Sequence, residues 1–295
     1  MVVMSMSRCR GSAAPRIPSD VALPRSKSRV RAHPAAIALA TALALLPLAA
    51  GAADAGRRAV PFVGCSSDGQ MGVVRAGRAP KPGATAPAAA APRLAYYGSA
   101  SLGVLAPRGW QCFGLYGSNG ETLVVAPGPD LAKRFGIGTP PLAGPAVVIS
   151  HSLGDTSGRF KVAGLAAGLF PSAGAFVKRV EAEGMQIPAY GPTATDRVER
   201  RGDTVAIFET PADQDGIGTL ATPLAKGDRP IDGVAVLLPE PHDLVLVSAR
   251  LPPELQDLAA GLVEDAAGCA GYGNGTGKPA RFTCLRHAGA TAAAQ

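Results

Sequence analysis

The stretch HSLGDTSGRF, residues 151–160, places an imidazole, a carboxylate and three hydroxyls within ten positions. The chemistry such groups suit is acyl transfer. A serine hydroxyl attacks, a histidine takes its proton, and a carboxylate holds the imidazole in the working tautomer. The triad to test is Ser157, His151 and Asp155. Ser118 is a second candidate nucleophile, His242 or His287 could replace His151 as the base, and Asp243 could orient it. GDTSG lacks the G-x-S-x-G spacing of a nucleophile elbow. A local reading competes. Asp155, Thr156 and Ser157 stand just before an amphipathic stretch, where short oxygen side chains accept hydrogen bonds from the unpaired N–H groups of a first helical turn. Such a cap stabilises by about 1 kcal/mol. The cap is the preferred reading, with an anion at the helix N-terminus as a further use of the same N–H groups.

Two other segments carry candidate groups. Trp110, Phe113 and Tyr116 lie in the aromatic-rich run 102–127 and could line a ligand groove, or else form core beside Cys112. CAGYGNGTGKPARFTC, residues 269–284, has glycines and a Gly-Lys pair. Tyr272 and Pro279 occupy the positions where a phosphate loop needs glycine and a hydroxyl residue. It reads instead as a loop closed by Cys269 and Cys284. With Cys9 in the leader, four cysteines remain, and three pairings are open to them. Nearness in sequence favours Cys269–Cys284, leaving Cys65–Cys112. None of the four sits in a C-x-x-C pair, so neither a zinc site nor any other metal or cofactor is expected.

The elements that must position these groups follow from periodicity. ETLVVAP and PAVVIS read as strands rich in β-branched residues. Val162, Leu165, Ala166, Leu169 and Phe170 fall at helical spacing, giving a helix from about Ser157 to Phe170 that Pro171 stops. AGAFVKRVEAEG is a second helix ending at Gly184. DTVAIFETP is a strand. IDGVAVLLPEPHDLVLVSARLP makes two strands around a turn at 239–243, with His242 a solvated turn residue. Pro252-Pro253 opens a last helix that Gly268 closes. The expected fold is α+β, a single domain with an antiparallel sheet covered by helices on one side. Its layout is a signal peptide (1–55), a short segment bearing Cys65 (56–75), an Ala/Pro/Gly linker (76–93), the α+β domain (94–268), the Gly-rich loop (269–284) and a tail (285–295).

The leader is read from a basic start, the apolar run 34–50 and the small-residue site Ala53-Asp54-Ala55. The apolar run is shorter than the roughly 20 residues a membrane span needs. No membrane anchor is therefore expected after cleavage, and the chain is expected in the periplasm or outside the cell. Seven basic and two acidic residues precede Gly56, which leaves 22 basic and 20 acidic residues, a net of +2. The basicity belongs to the leader, so nucleic-acid binding is not expected.

GVLAPRGWQCFGLYGSNGETLVVAP, GDTSGRF, ETPADQDGIGTL and VSARLPPEL together resemble a family of uncharacterised exported bacterial proteins. Its pattern is Gly-Trp-x-Cys-Phe-Gly followed by Thr-Pro-Ala and Gly-x-Gly-Thr, over roughly residues 62 to 267. The resemblance implies export and carries no activity with it. A fainter likeness, in a Pro-x-Gly-Trp opening, a central helix, a late strand pair and a C-terminal helix, is to PsbP-like α/β/α sandwiches, which are mostly binding or assembly modules. The expected function is a non-catalytic envelope or secreted module for a protein partner or small ligand. The rival is a secreted serine hydrolase using Ser157 or Ser118 with a histidine. N-terminal sequencing of envelope or supernatant material should find the mature chain beginning at Gly56 or within a few residues. A membrane-bound chain that retains residues 34–50 would overturn the leader.

Overall fold

The computed structural model describes residues 56–136 and 138–268; the expected leader, the Cys269–Cys284 loop and the tail 285–295 lie outside them. Three short strands come first, β1 (Arg57–Ala59), β2 (Phe62–Gly64) and β3 (Ser67–Gly69), then β4 (Thr85–Pro87). Two hairpins follow, β5 (Leu94–Gly98) with β6 (Gly103–Pro107), and β7 (Gln111–Gly117) with β8 (Gly120–Ala126). After the single turn α1 (Leu131–Arg134) come β9 (Ala146–Ser152) and the helices α2 (Arg159–Leu169) and α3 (Gly174–Glu181). The chain finishes with β10 (Arg197–Arg201), β11 (Val205–Thr210), the turn α4 (Ile217–Leu220), β12 (Ile231–Leu237), β13 (Leu244–Arg250) and α5 (Ala259–Ala267).

Eight strands form the main sheet in the order β10-β11-β12-β13-β9-β8-β7-β3; β2-β5-β6 and β1-β4 form two smaller sheets. The architecture is α+β, as composition and periodicity suggest. The expectation of a wholly antiparallel sheet needs correction, because β3 joins β7 and β2 joins β5 in parallel. Both parallel strands come from the N-terminal segment. It supplies one strand to each of the three sheets and turns back on itself at the antiparallel Ser67–Val74 bridge.

The helices also occupy both faces of the main sheet, not one. Strand alternation decides this. Val147 and Ile149 of β9 join Leu123 and Val125 of β8 in a core closed by Leu258, Leu262 and Val263 and by Tyr96 and Leu105 of the small sheet. Ala146 and Val148 point the other way, against Leu131 and Phe135. On that second face Leu244 and Leu246 of β13 meet Val162, Leu165 and Leu169 of α2 and Phe176 of α3. Each large aliphatic side chain buried this way contributes roughly 1.5–3 kcal/mol.

Residues 76–93 are not a free linker along their length. Thr85–Pro87 pairs with β1, and Ala84, Ala86 and Ala91 are buried. Methyl groups carry little hydrophobic signal, yet they let a backbone pack closely, and that tertiary fit overrides composition. β10 was also illegible in the sequence. RVERR shows no apolar alternation because it is an exposed edge, where charges suppress unwanted pairing.

Cys65 lies between β2 and β3 and is disulfide-bonded to Cys112 of β7, with Cα atoms 5.4 Å apart. The bond ties the N-terminal segment to the main sheet at the point where it passes from one sheet to the other. A disulfide persists in an oxidising compartment, and among the described residues no helix is long and apolar enough to cross a membrane. The cross-link closes a separation of 47 residues, for which the chain-entropy model gives about 4 kcal/mol. Replacing Cys65 and Cys112 together by serine should lower the unfolding free energy by about 2–5 kcal/mol, read from urea midpoints. An unchanged midpoint would show that the bond constrains nothing.

Candidate functional site

Near the end of β7, β8 and β9 that borders the Ser118–Gly120 turn, the apolar alternation gives way to polar side chains. On the face that carries Val147 and Ile149, the next residue of β9 is His151. Directly opposite it stand Glu121 of β8 on one side and Val245 of β13 on the other. Glu121 in turn faces Tyr116 of β7. Tyr116, Glu121 and His151 therefore form one cross-strand row, with facing Cβ atoms about 5 Å apart. Together with Ser67 and Ser101 they line a recess of about 270 Å³.

Each member of the row is held. His151 Nε2 donates to Asp243 Oδ2 at 2.9 Å, and the second oxygen of Asp243 accepts from the Gly154 N–H at 2.8 Å. Asp243 precedes Val245 by two residues and so shares its face. The turn carrying it is closed by the Leu238 N–H donating to the Asp243 carbonyl. Gly154 is required beside it, because a Cβ there would lie 2.2 Å from the Pro241 carbonyl oxygen. Both partners are largely enclosed, with side chains 12% and 16% exposed. Burial pushes the Asp243 carboxyl upward, but the His151 and Gly154 hydrogen bonds and the imidazole charge outweigh it and hold the group below its ordinary value. Nε2–H donates to Asp243, and Nδ1 has no hydrogen-bond partner among the described residues. Glu121 accepts from the Ser101 hydroxyl, and the Tyr116 hydroxyl donates to the Gly72 carbonyl at 2.6 Å.

The triad Ser157–His151–Asp155 is not assembled. Asp155 and Ser157 are exposed, Ser157 Oγ lies 3.4 Å from Ser118 Oγ, and the acid on His151 is Asp243. The capping expectation also needs correction. α2 begins at Arg159 with Gly158 as N-cap and no side-chain cap hydrogen bond. A Cβ at Gly158 would lie 2.3 Å from the Asn119 carbonyl oxygen, so the close approach of the hairpin turn excludes the usual capping side chains. Thr156 alone acts nearby, accepting from the Gly158 N–H at 3.2 Å.

His242 sits in the turn as expected but is not solvated. It adopts φ +70° and stacks on Phe176 of the second-face core with ring centroids 4.8 Å apart. His287 lies outside the described residues. The aromatic trio divides by strand alternation. Trp110 packs in the first core and Phe113 on the opposite face, so Tyr116 alone lines the recess. Among the described residues no cluster of three metal-ligating side chains occurs.

Sequence reading missed Glu121 and Ser101 as site residues. The signal for Glu121 was present, since residues 121, 123 and 125 share one side of the ETLVV strand. Ser101 could not be found that way, because only the packing of the small sheet carries its loop to Glu121. No protein-family model, curated protein or solved structure matches the chain.

A carboxylate held below its ordinary value contributes stability that is complete above its unfolded value, about 3.9, and is lost as pH falls through the folded one. Asp243→Asn should therefore lower stability at pH 7 by about 1.5–3 kcal/mol, the worth of hydrogen bonds to a charged group. It should also flatten the loss of stability below about pH 4. Parallel acid-unfolding curves for the two proteins would contradict this account. Ser157→Ala should change stability by less than about 0.5 kcal/mol.

Proposed function

We propose that this chain is an exported, non-catalytic binding module whose ligand seat is the recess formed by Tyr116, Glu121 and His151. The observation that carries the reading is the arrangement of proton donors and acceptors. Asp243 fixes the imidazole, yet among the described residues no hydroxyl lies within hydrogen-bond distance of it, and Ser101 gives its proton to Glu121 instead. A serine hydrolase needs the nucleophile hydrogen-bonded to the base. A binding seat needs a few fixed polar groups in a preformed hollow, and this recess supplies them. The unengaged imidazole nitrogen, the carboxylate and the phenol suit a small polar ligand with several hydrogen-bonding groups. Export, to the periplasm or the medium, is supported by the Cys65–Cys112 bond and by the basic, apolar and small-residue order of the first 55 positions.

The hydrolase reading keeps one supporting fact, that a histidine–carboxylate pair and a serine line the same hollow. Two measurements separate the readings. Hydrolysis of p-nitrophenyl acetate and butyrate should equal the buffer rate and should not respond to His151→Ala or Ser101→Ala. In a polar-fragment titration followed by amide chemical shifts, perturbations should cluster at Tyr116, Glu121 and His151. Saturable turnover abolished by His151→Ala would replace binding with catalysis. Perturbations confined to other surfaces would move the seat elsewhere.

A further inference from the structure

Lys161 occupies a position where a helix ordinarily places an apolar side chain. It lies four and eight residues before Leu165 and Leu169, so it continues the buried stripe of α2 toward the N-terminus of that helix. Its side chain is half-buried and lines a cavity of about 390 Å³. Alternation places this cavity against the other face of the same strands. Leu115, Thr122 and Ser152 point to it; Tyr116, Glu121 and His151 also border it at the sheet end, although alternation turns their side chains to the opposite face.

Among the described residues Lys161 has no hydrogen-bond or ion-pair partner. Charged groups nearby are engaged elsewhere. Glu121 is bound by Ser101 and His151 by Asp243, both on the opposite face, and Arg159 is paired with Glu183. Asp155 is exposed, and Tyr116 donates to the Gly72 carbonyl. Arg250, a fully buried cation, shows what this fold does with such a charge, since its guanidinium donates to the carbonyls of Ala143 and Ala225. Lys161 is given no such acceptors. Burial without a counter-ion lowers its ammonium to about 8.

We infer that the Lys161 cavity is a binding site for a small carboxylic acid, whose carboxylate pairs with the ammonium and whose apolar body lies against Leu115 and Phe135. The hydroxyls of Thr122 and Ser152 and the side-chain amide of Asn119 line the same hollow and can donate to the second carboxylate oxygen. A half-buried ammonium is stabilised by an anion that also accepts hydrogen bonds, and Glu121, the acid bordering the cavity, is already engaged by Ser101, so an anionic ligand fits the place that remains. The volume suits a molecule of modest size, near the lower limit for ligand pockets. Reciprocity fixes the pH dependence. A carboxylate that pairs with the ammonium must raise its pKa, and an ammonium that loses its proton must release the carboxylate.

The test uses the full mature chain with butyrate and benzoate as probes. Butanol and benzyl alcohol serve as uncharged counterparts, and inorganic phosphate as a different anion. Binding is followed by amide shifts and by the lysine 13Cε resonances. Both acids should bind saturably, with shifts at Thr122, Ser152 and Lys161, and at least ten times more tightly than the alcohols or phosphate. Affinity should fall about tenfold per pH unit above about 8. Lys161→Met should abolish acid binding, whereas Ser101→Ala, in the opposite recess, should leave it unchanged. In the wild-type chain the Lys161 titration should move to higher pH when benzoate is present, a readout that does not depend on any variant folding. Equal binding of acids and alcohols, equal binding of phosphate at the same residues, or a Lys161 titration unmoved by benzoate would each overturn the site. Acid binding lost in Ser101→Ala and kept in Lys161→Met would place the acid in the His151 recess instead.

Discussion

β9 is hydrogen-bonded to β13 on one side and β8 on the other, while both its faces are covered, so no residue of this strand can reach bulk water without a gap in the packing. Strand geometry sends successive side chains to opposite cores. Ala146 and Val148 go to one, Val147 and Ile149 to the other. Where the sequence turns polar at Ser150, His151 and Ser152, the same geometry delivers those groups to the end of the sheet. There a buried polar group must find a partner or a cavity. Both hollows described above are the consequence, one on each face.

The two faces solve the problem differently. On the first face a histidine meets an aspartate that the β12–β13 turn places within 2.9 Å, and the glutamate beside it is satisfied by a serine from the small sheet. The polar row is thereby rigid, which is what a preformed seat requires. On the second face hydroxyls and a lysine surround a hollow whose bordering acid, Glu121, is engaged by Ser101 rather than by the ammonium. A rigid satisfied cluster and an unbalanced cation differ in kind. The first presents fixed hydrogen-bonding groups to a ligand, while the second has a charge to complete.

The small sheets explain why the N-terminal segment matters to a site built by the central strands. β2 and β3 straddle Cys65, and the disulfide to Cys112 anchors the strand that bears Tyr116 four positions later. Ser101, the partner of Glu121, lies in the turn between β5 and β6, and β2 pairs with β5. Loss of that anchoring should therefore loosen the recess as well as lower stability.

Sequence alone determined the elements whose local signals are strong. Valine-rich strands, the stripe from Val162 to Phe170, the hairpin turn before Leu244 and the helix after Pro253 all stand close to where periodicity and proline place them. For these the local preference and the buried face agree. Tertiary structure decided the rest, because the deciding contacts are far apart in sequence. Gly158 took the cap position from Ser157 and Thr156 because the hairpin turn presses against it. Asp243 rather than Asp155 became the partner of His151 because pairing of β13 with β9 brings residues 92 positions apart into contact. The alanine-rich run 84–91 folded because a neighbouring strand was there to receive it. A histidine, a serine and an aspartate in one short stretch say only that the groups are present; the sheet register determines which of them meet.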